Sequence, residues 1–557
     1  SPASSGDDGR ECRRVEAFPL HEAIIRRDLD GLLNLLGNGE DPNARDSSGR
    51  PPLHEAAFAN SVPMVQALLG AGAALGLTEP QHGSTALHVS ATEGHVEATE
   101  ALLIAGAAAA PPTSSDHDPC ASSASVAASV AEAQDSAGMR PLHVAAVTDS
   151  VGVVEVLLRA GVGIDSRDKN GRTPLLYAAQ ADKAATVKTL LRAGSSPDLR
   201  DSNGHTALHR AVLMPAGDVL EALLAAGASP GSGGEKGVTP LHLACKQNER
   251  GTVEALLRAG AVPGHCWNDS QESPLMVACK AGNRNAVELL LPRLTVRQVN
   301  ARDRTYAMDK GGETPLVAAV WYSRCDEAET IGIVEELLRA GADPSLWASN
   351  GITPLAAVIL GSNTKASPTL GPSLVQALAA AGADVNEVSS FNGFAPLHYA
   401  CWEGACRQLV EALLDAGANP RAPCAGMEFM TPLQLAGTSG NAEAVEALLG
   451  RLEDGALNAV GTSPSRDTAL ACAVRHGRTK VCRLLLELGA NMDLPSRPCS
   501  SRRPRARAGE TPRAASLVET AAQFGHLDAM NLLIQAKILK DRSAGATLGG
   551  GGLGPEG

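Results

Sequence analysis

Residues Asp168–Gly194 read D-K-N-G-R-T-P-L-L-Y-A-A-Q-A-D-K-A-A-T-V-K-T-L-L-R-A-G, and each part has a physical role. Asp168 to Gly171 supplies a turn. Thr173 is a good helix N-cap, and Pro174 suits the first helical position, where no N–H is needed. Leu175 and Ala178–Ala179 form a narrow apolar stripe on a short helix. Val187, Leu190 and Leu191 fall at i, i+3 and i+4 on one face of a second helix. Gly194 supplies a left-handed stop. The stretch predicts turn, helix, turn, helix, with a single side to bury. Such a unit cannot fold alone and requires neighbours of its own kind.

Those neighbours are present. Working outward, the T-P-L-H-x-A string or a close variant recurs at Leu20, Leu53, Leu87, Leu142, Leu175, Leu208, Leu241, Leu275, Leu316, Leu355, Leu397, Leu433, Leu470 and Val518. Spacings between these index residues start at 33 and 34, then stretch to 36–42 from Leu275 onward up to Leu470. Seven copies keep a histidine after the index residue: His21, His54, His88, His143, His209, His242 and His398. A second string, V-E-x-L-L-x-x-G-A, follows each first one, as at Val253–Ala261 and Val410–Ala418.

The pattern resembles the ankyrin repeat, whose hallmark is a period of about 33 residues carrying T-P-L-H-x-A. The resemblance covers Phe18 to Ala536 in fourteen copies. It implies an all-α solenoid of stacked helix-turn-helix units with short β-hairpin loops along one edge. It also implies protein binding on the concave face formed by first helices and hairpins. The expected layout is a disordered N-terminus at 1–14, copies one to three over 15–107, an Ala/Ser/Pro-rich insertion over 108–137 and copies four to thirteen over 138–491. An Arg/Pro-rich loop at 492–510, a degenerate terminal copy at 511–540 and a Gly-rich tail at 541–557 complete it. The insertion is either a flexible excursion that leaves the stack intact or a break into two segments.

Composition bounds the function. The 557 residues exceed one ordinary core, but a repeat core grows along one axis. With 48 basic against 61 acidic residues the net charge is −13, which argues against general nucleic-acid binding. No apolar run approaches the ~18 residues of a membrane span, so no membrane insertion is expected. The twelve cysteines include no C-x-x-C pair, which argues against zinc and for reduced thiols in a cytoplasmic, and also nuclear, protein. The chain lacks an initiator Met, which leaves a fragment of a larger protein open.

No phosphate loop, zinc-helix motif or nucleophile elbow occurs, so neither catalysis nor a cofactor or metal is expected. Recurrence removes the remaining candidates. The resemblance implies that the repeated histidine hydrogen-bonds locally and ties adjacent copies. Cys245, Cys279 and Cys401 share a register position with Ala57, Ala146 and Ala179, and read as small buried residues. Glu155, Glu254 and Glu335 each precede an arginine by four residues (Arg159, Arg258, Arg339) and read as solubilising pairs.

Binding residues are sought among those that do not recur. Nine of fourteen aromatics lie between Trp267 and Trp402, including all four Trp. Trp321 and Trp402, like Phe58, Lys246 and Lys280, sit five residues after their index residue, near the end of the first helix. Trp267 and Trp347 sit eight before it, on the hairpin, where other copies have Arg45, Arg167 and Arg200. Trp and Arg are enriched at interface hot spots. The two columns are therefore candidate contacts for protein partners, unless the rings pack beneath the longer loops nearby. Arg502, Arg503, Arg505 and Arg507 form the one strong basic cluster, readable as a nuclear-import signal, an acid-docking site or a solvated loop.

Overall fold

The computed structural model describes residues 18–108, 130–214, 217–264, 272–303, 312–322, 326–348, 351–361, 367–390, 392–426, 429–452, 456–460, 467–494 and 516–548. Among these residues the architecture is helical, and the hairpin segments are turns without an assigned strand. The chain divides into two compact units, Ser1–Val262 and Pro263–Gly557.

In the first unit, first helices run Pro19–Ile25, Pro52–Phe58, Ala86–Glu93, Pro141–Thr148, Pro174–Gln180, Ala207–Val212 and Pro240–Gln247. Each packs on the next, and the second helices, from Leu29–Gly37 to Arg250–Arg258, pack in a parallel layer. Helices on either side of the Ala/Ser/Pro-rich stretch meet directly, Ala86–Glu93 against Pro141–Thr148 and Val96–Ala108 against Val151–Arg159. Ala131 is fully buried, and Glu132 forms an ion pair with Arg140 at 2.5 Å. The second unit repeats the scheme from Pro274–Ala281 to Leu517–Phe524 and from Arg284–Leu290 to Leu527–Leu548. Its last helix continues past residue 540.

Local chemistry explains the elements. Thr173 Oγ1 accepts from the Leu176 N–H. Asp168 closes its hairpin by accepting the N–H groups of Asn170 and Arg172 at 2.9 and 2.7 Å. Asp201 does the same for Asn203 and His205 at 3.0 and 2.8 Å. Successive hairpins are joined by backbone bonds, Ser202 N to Asn170 O at 2.9 Å and Ser136 N to His82 O at 2.8 Å. Gly194, at φ 94°, ends its helix; its N–H reaches Leu191 O and that of Ser195 reaches Leu190 O, both at 3.0 Å. This double closure satisfies carbonyls the helix leaves open, and a left-handed residue there favours glycine. The core is Leu, Ala and Val: Leu175, Ala178, Ala179, Val187 and Leu190 are at most 1% exposed.

The recurring polar residues are structural. His209 Nδ1 accepts the Thr206 N–H at 3.1 Å, and Nε2 bonds Val238 O of the next hairpin at 2.9 Å. His88 bonds in the same way to Thr85 and to Met139 O, at 3.2 and 3.0 Å. Cys245, Cys279 and Cys401 are fully buried. The glutamate pairs need correction. Glu335–Arg339 forms at 2.8 Å, but Arg159 meets Glu100 of the preceding copy at 3.7 Å, and Glu254 pairs with Arg250 at 2.9 Å. The neighbouring copy and the preceding helical turn offer partners as close as the one four residues on. All are exposed pairs of small energetic weight.

Candidate functional site

The candidate residues fall on two structural rows. Phe58 ends its first helix and is half exposed, while its carbonyl accepts from His95 Nε2 at 2.9 Å. Trp321 lies in Pro315–Tyr322 and Trp402 in Pro396–Glu403, with Pro354–Leu360 packed between those two helices. Trp321 is exposed and Trp402 partly so. Trp267 and Arg502, Arg503, Arg505 and Arg507 lie outside the described residues.

The hairpin row divides by chemistry. Arg45 Nη1 donates to Gly49 O and to Thr78 O, at 2.7 and 2.9 Å. Arg167 Nη1 donates to Arg200 O, and Arg200 Nη1 to Gly233 O, both at 2.8 Å. Each arginine therefore ties its hairpin to the next one while remaining at the surface. Trp347, 37% exposed, occupies the same register and donates through Nε1 to Glu387 of the following hairpin at 2.5 Å. Its ring stays available beside that bond.

Beside Val388, just after Glu387, a groove of about 740 Å³ opens. It is lined by Val388, Asn392, Phe394, Tyr399, Trp402 and Glu403, with the next hairpin at Ala425–Gly426. Tyr399 OH donates to Asn392 Oδ1 at 2.7 Å, and the Phe394 and Tyr399 rings meet edge to face at 5.2 Å. Val388 is 51% exposed.

Sequence reasoning placed Lys280 in the first-helix column without seeing what surrounds it. Its Nζ donates to Glu272 Oε1 at 2.7 Å and to Asp303 Oδ2 at 2.9 Å, and lies 5.4 Å from the Tyr322 ring centroid. Tyr322 OH donates to Glu313 at 3.0 Å. Burial alone would lower the Lys280 ammonium, but Glu272 and Asp303 outweigh it and raise it above its ordinary value. Burial raises the Glu313 carboxyl, despite Tyr322 and Lys280. This network locks one hairpin to the next. Its acids lie 8 and 23 residues from Lys280, separations that periodicity does not flag.

The model of ankyrin repeats (3 copies) matches residues 20–112, 120–201, 142–233, 182–265, 215–303, 241–331, 326–424 and 408–496. The chain belongs to the ankyrin-repeat family. Ankyrin repeats are generally non-catalytic protein–protein interaction modules. The chain is 36% identical over 100 residues to tyrosine-protein kinase Shark of Drosophila melanogaster, covering 18% of this chain and 11% of the kinase. It is 38% identical over 98 residues to human ankyrin repeat and KH domain-containing protein 1, covering 18% and 4%. It is 37% identical over 78 residues to human ankyrin repeat and SOCS box protein 3, covering 14% and 15%. The chain thus spans a small part of each of these relatives. Among solved structures, the ankyrin repeat domain of Bcl-3 matches at 27% identity and TM-score 0.37, covering 44% of this chain and 99% of that one. The human ASB11 ankyrin repeat domain matches at 27% identity and TM-score 0.36, covering 44% and 98%. Among the described residues, no helix is long and apolar enough to cross a membrane.

Proposed function

We propose that this ankyrin-repeat chain is a non-catalytic scaffold or adaptor, cytoplasmic with access to the nucleus. It would hold protein partners on the face carrying first-helix ends and hairpins. The observation that supports this most is the placement of Trp321, Trp347 and Val388. These large apolar side chains stay exposed on the very elements that vary between copies. A soluble repeat protein gains nothing in stability from rings left in water, and Trp is the side chain most often found at interface hot spots.

The test is affinity purification with the intact chain and with a variant carrying alanine at Trp267, Trp321, Trp347 and Trp402. A partner that is retained stoichiometrically by the parent and lost by the variant, with the circular-dichroism melt preserved, supports the reading. Undiminished retention by the folded variant places binding elsewhere. A second reading is a recognition arm of a larger enzyme or receptor. It is favoured by the kinase and SOCS-box relatives, in which the matched repeats form a small part of a longer protein. Sequencing the full-length transcript separates the two readings, since a catalytic or ligase-recruiting segment joined to these repeats would select the second.

A further inference from the structure

We propose that two copies of this chain pair through the last helix, Leu527–Leu548, as an antiparallel dimer. The pairing goes beyond the partner-binding reading above and does not depend on it. Three observations carry it. The helix overruns its repeat. Gly161, Gly194, Gly227 and Gly260 each stand nineteen residues after their index residue, at positive φ, where their second helices close. Lys537 holds that position in the terminal copy, so no left-handed stop is set and the helix runs on to Leu548.

The terminal copy also leaves apolar surface uncovered. The thirteen index leucines are at most 5% exposed, whereas Val518 is only part-buried. Val518 lines a groove of about 650 Å³ with Leu494, Ile534 and Ile538. Ile534 and Ile538, 38% and 48% exposed, lie one turn apart on one helix face, and Leu527 lies two turns earlier on that face, also exposed. Terminal repeats ordinarily turn a polar face outward for solubility, so an apolar one marks a contact.

Charge on that face is self-complementary. Lys537 and Asp541 stand beside Ile538 at the groove, both exposed, one turn apart and opposite in sign. Asp493, across the groove, is held by Lys540 at 2.6 Å, with Lys537 nearby. A two-fold axis makes every contact occur twice with the roles exchanged. With the helices antiparallel and the axis midway between Lys537 and Asp541, each Lys537 meets the second copy's Asp541, and the two Ile538 side chains meet near the axis. A parallel pairing would set lysine on lysine and aspartate on aspartate. A partner of one charge sign would be repelled by one of the two residues.

The test uses the full chain. Size-exclusion chromatography with light scattering at tens of micromolar is expected to give twice the mass of one chain. Ile538→Asp is expected to weaken association at least tenfold with the melt retained. Leu539→Asp, at an equally exposed side chain about 100° further round the helix, is expected to leave association unchanged. Lys537→Glu and Asp541→Lys are each expected to weaken association at least tenfold, since each sets like charges face to face at both symmetry-related contacts. Mixing the two variants is expected to recover the dimer, because the acidic face of one then meets the basic face of the other.

A monomeric parent would overturn the proposal. So would a mixture that stays monomeric although both variants melt as the parent does. Equal weakening by Ile538→Asp and Leu539→Asp would overturn it too, since the apolar end would then adhere in no particular geometry. If either charge variant fails to fold, the double variant Lys537→Glu, Asp541→Lys decides: it restores both contacts, and a monomer would refute the pairing.

Discussion

Arg200 reaches forward thirty-three residues to donate its Nη1 to the carbonyl of Gly233 at 2.8 Å, and Arg167 makes the same bond to the carbonyl of Arg200 itself. The acceptor is backbone, so the bond requires only that the next copy be in register. Arg200→Ala is expected to lower stability by about 1 kcal/mol, the ordinary net weight of one hydrogen bond, because water around the exposed guanidinium removes the extra strength of a charged donor. Arg167→Ala should cost about as much, because its acceptor is likewise a main-chain carbonyl of the next hairpin. Urea titration checks this. An unchanged midpoint together with lost partner capture would mean that these arginines serve an interface rather than the stack.

A stronger effect is expected one layer deeper. The Asp201 side chain is 1% exposed, and Arg210 Nη2 sits 2.6 Å from its Oδ2. Burial alone would raise the Asp201 carboxyl. The hydrogen bonds and charges of Arg210 and His205 outweigh burial and hold it below the usual value. Arg210→Leu strands a buried carboxylate and should cost about 3–5 kcal/mol. Arg210→Tyr should be much milder. Tyr177 stands at the same register one copy earlier and donates to Asp168 Oδ2 at 2.7 Å. Comparing the two melts tests whether the requirement is for a donor or for that particular charge.

These cases show what the sequence could and could not disclose. Copy number, helix positions and the structural role of the recurring histidines were legible, because a stacked unit repeats its buried stripe at a fixed period. The groove was only half legible. Register singled out Trp402, but Val388, Phe394 and Asn392 join it through a hairpin whose spacing departs from the period. The Lys280 network was illegible because its acids, Glu272 and Asp303, stand 8 and 23 residues away at positions that the repeated strings do not mark. Register also grouped Arg45, Arg167 and Arg200 with Trp347 as contacts. It could not reveal that the arginines donate to main-chain carbonyls, because a carbonyl leaves no mark in side-chain identity.

Acid should loosen the stack through its histidines. His209 is held down to about 4, chiefly by burial, against an ordinary 6.5. Its Nδ1 accepts an N–H, so protonation there removes an acceptor as well as burying a charge. A depressed histidine means that the unfolded chain binds more protons between those two values. Stability therefore falls as pH drops from about 6.5 to about 4 and flattens below, by at most ~3 kcal/mol from this residue. His54, His88, His143 and His398 are lowered in the same direction by burial. His209→Gln should remove its share of the pH dependence while retaining most of the neutral-pH stability. Gln434 already fills this slot in another copy, accepting from Thr431 N at 2.8 Å and donating to Asp467 O. Urea midpoints at pH 7.5 and 4.5 measure the difference, and an unaltered difference in the variant would refute the assignment.

Thiol reactivity offers a last check on how tightly the copies pack. Burial raises the thiols of Cys245 and Cys401 and pushes Cys482 up to about 12, so little thiolate exists at pH 8. Cys406 differs: it is part-exposed, with its Sγ donating to Ser367 O at 3.5 Å. Iodoacetamide at pH 8 should therefore modify Cys406 before the other described cysteines, with Cys245, Cys279 and Cys401 reacting only after urea. Peptide mass spectrometry reads the order. The same packing predicts that Cys401→Ala is mild, because Ala57, Ala146 and Ala179 occupy that register elsewhere, also fully buried. Cys401→Ser should cost about 1–3 kcal/mol more, since a hydroxyl placed there must find a partner the apolar seam was not built to give. Early labelling of Cys401 in the native chain would mean that neighbouring first helices separate readily, and the serine penalty should then shrink with it.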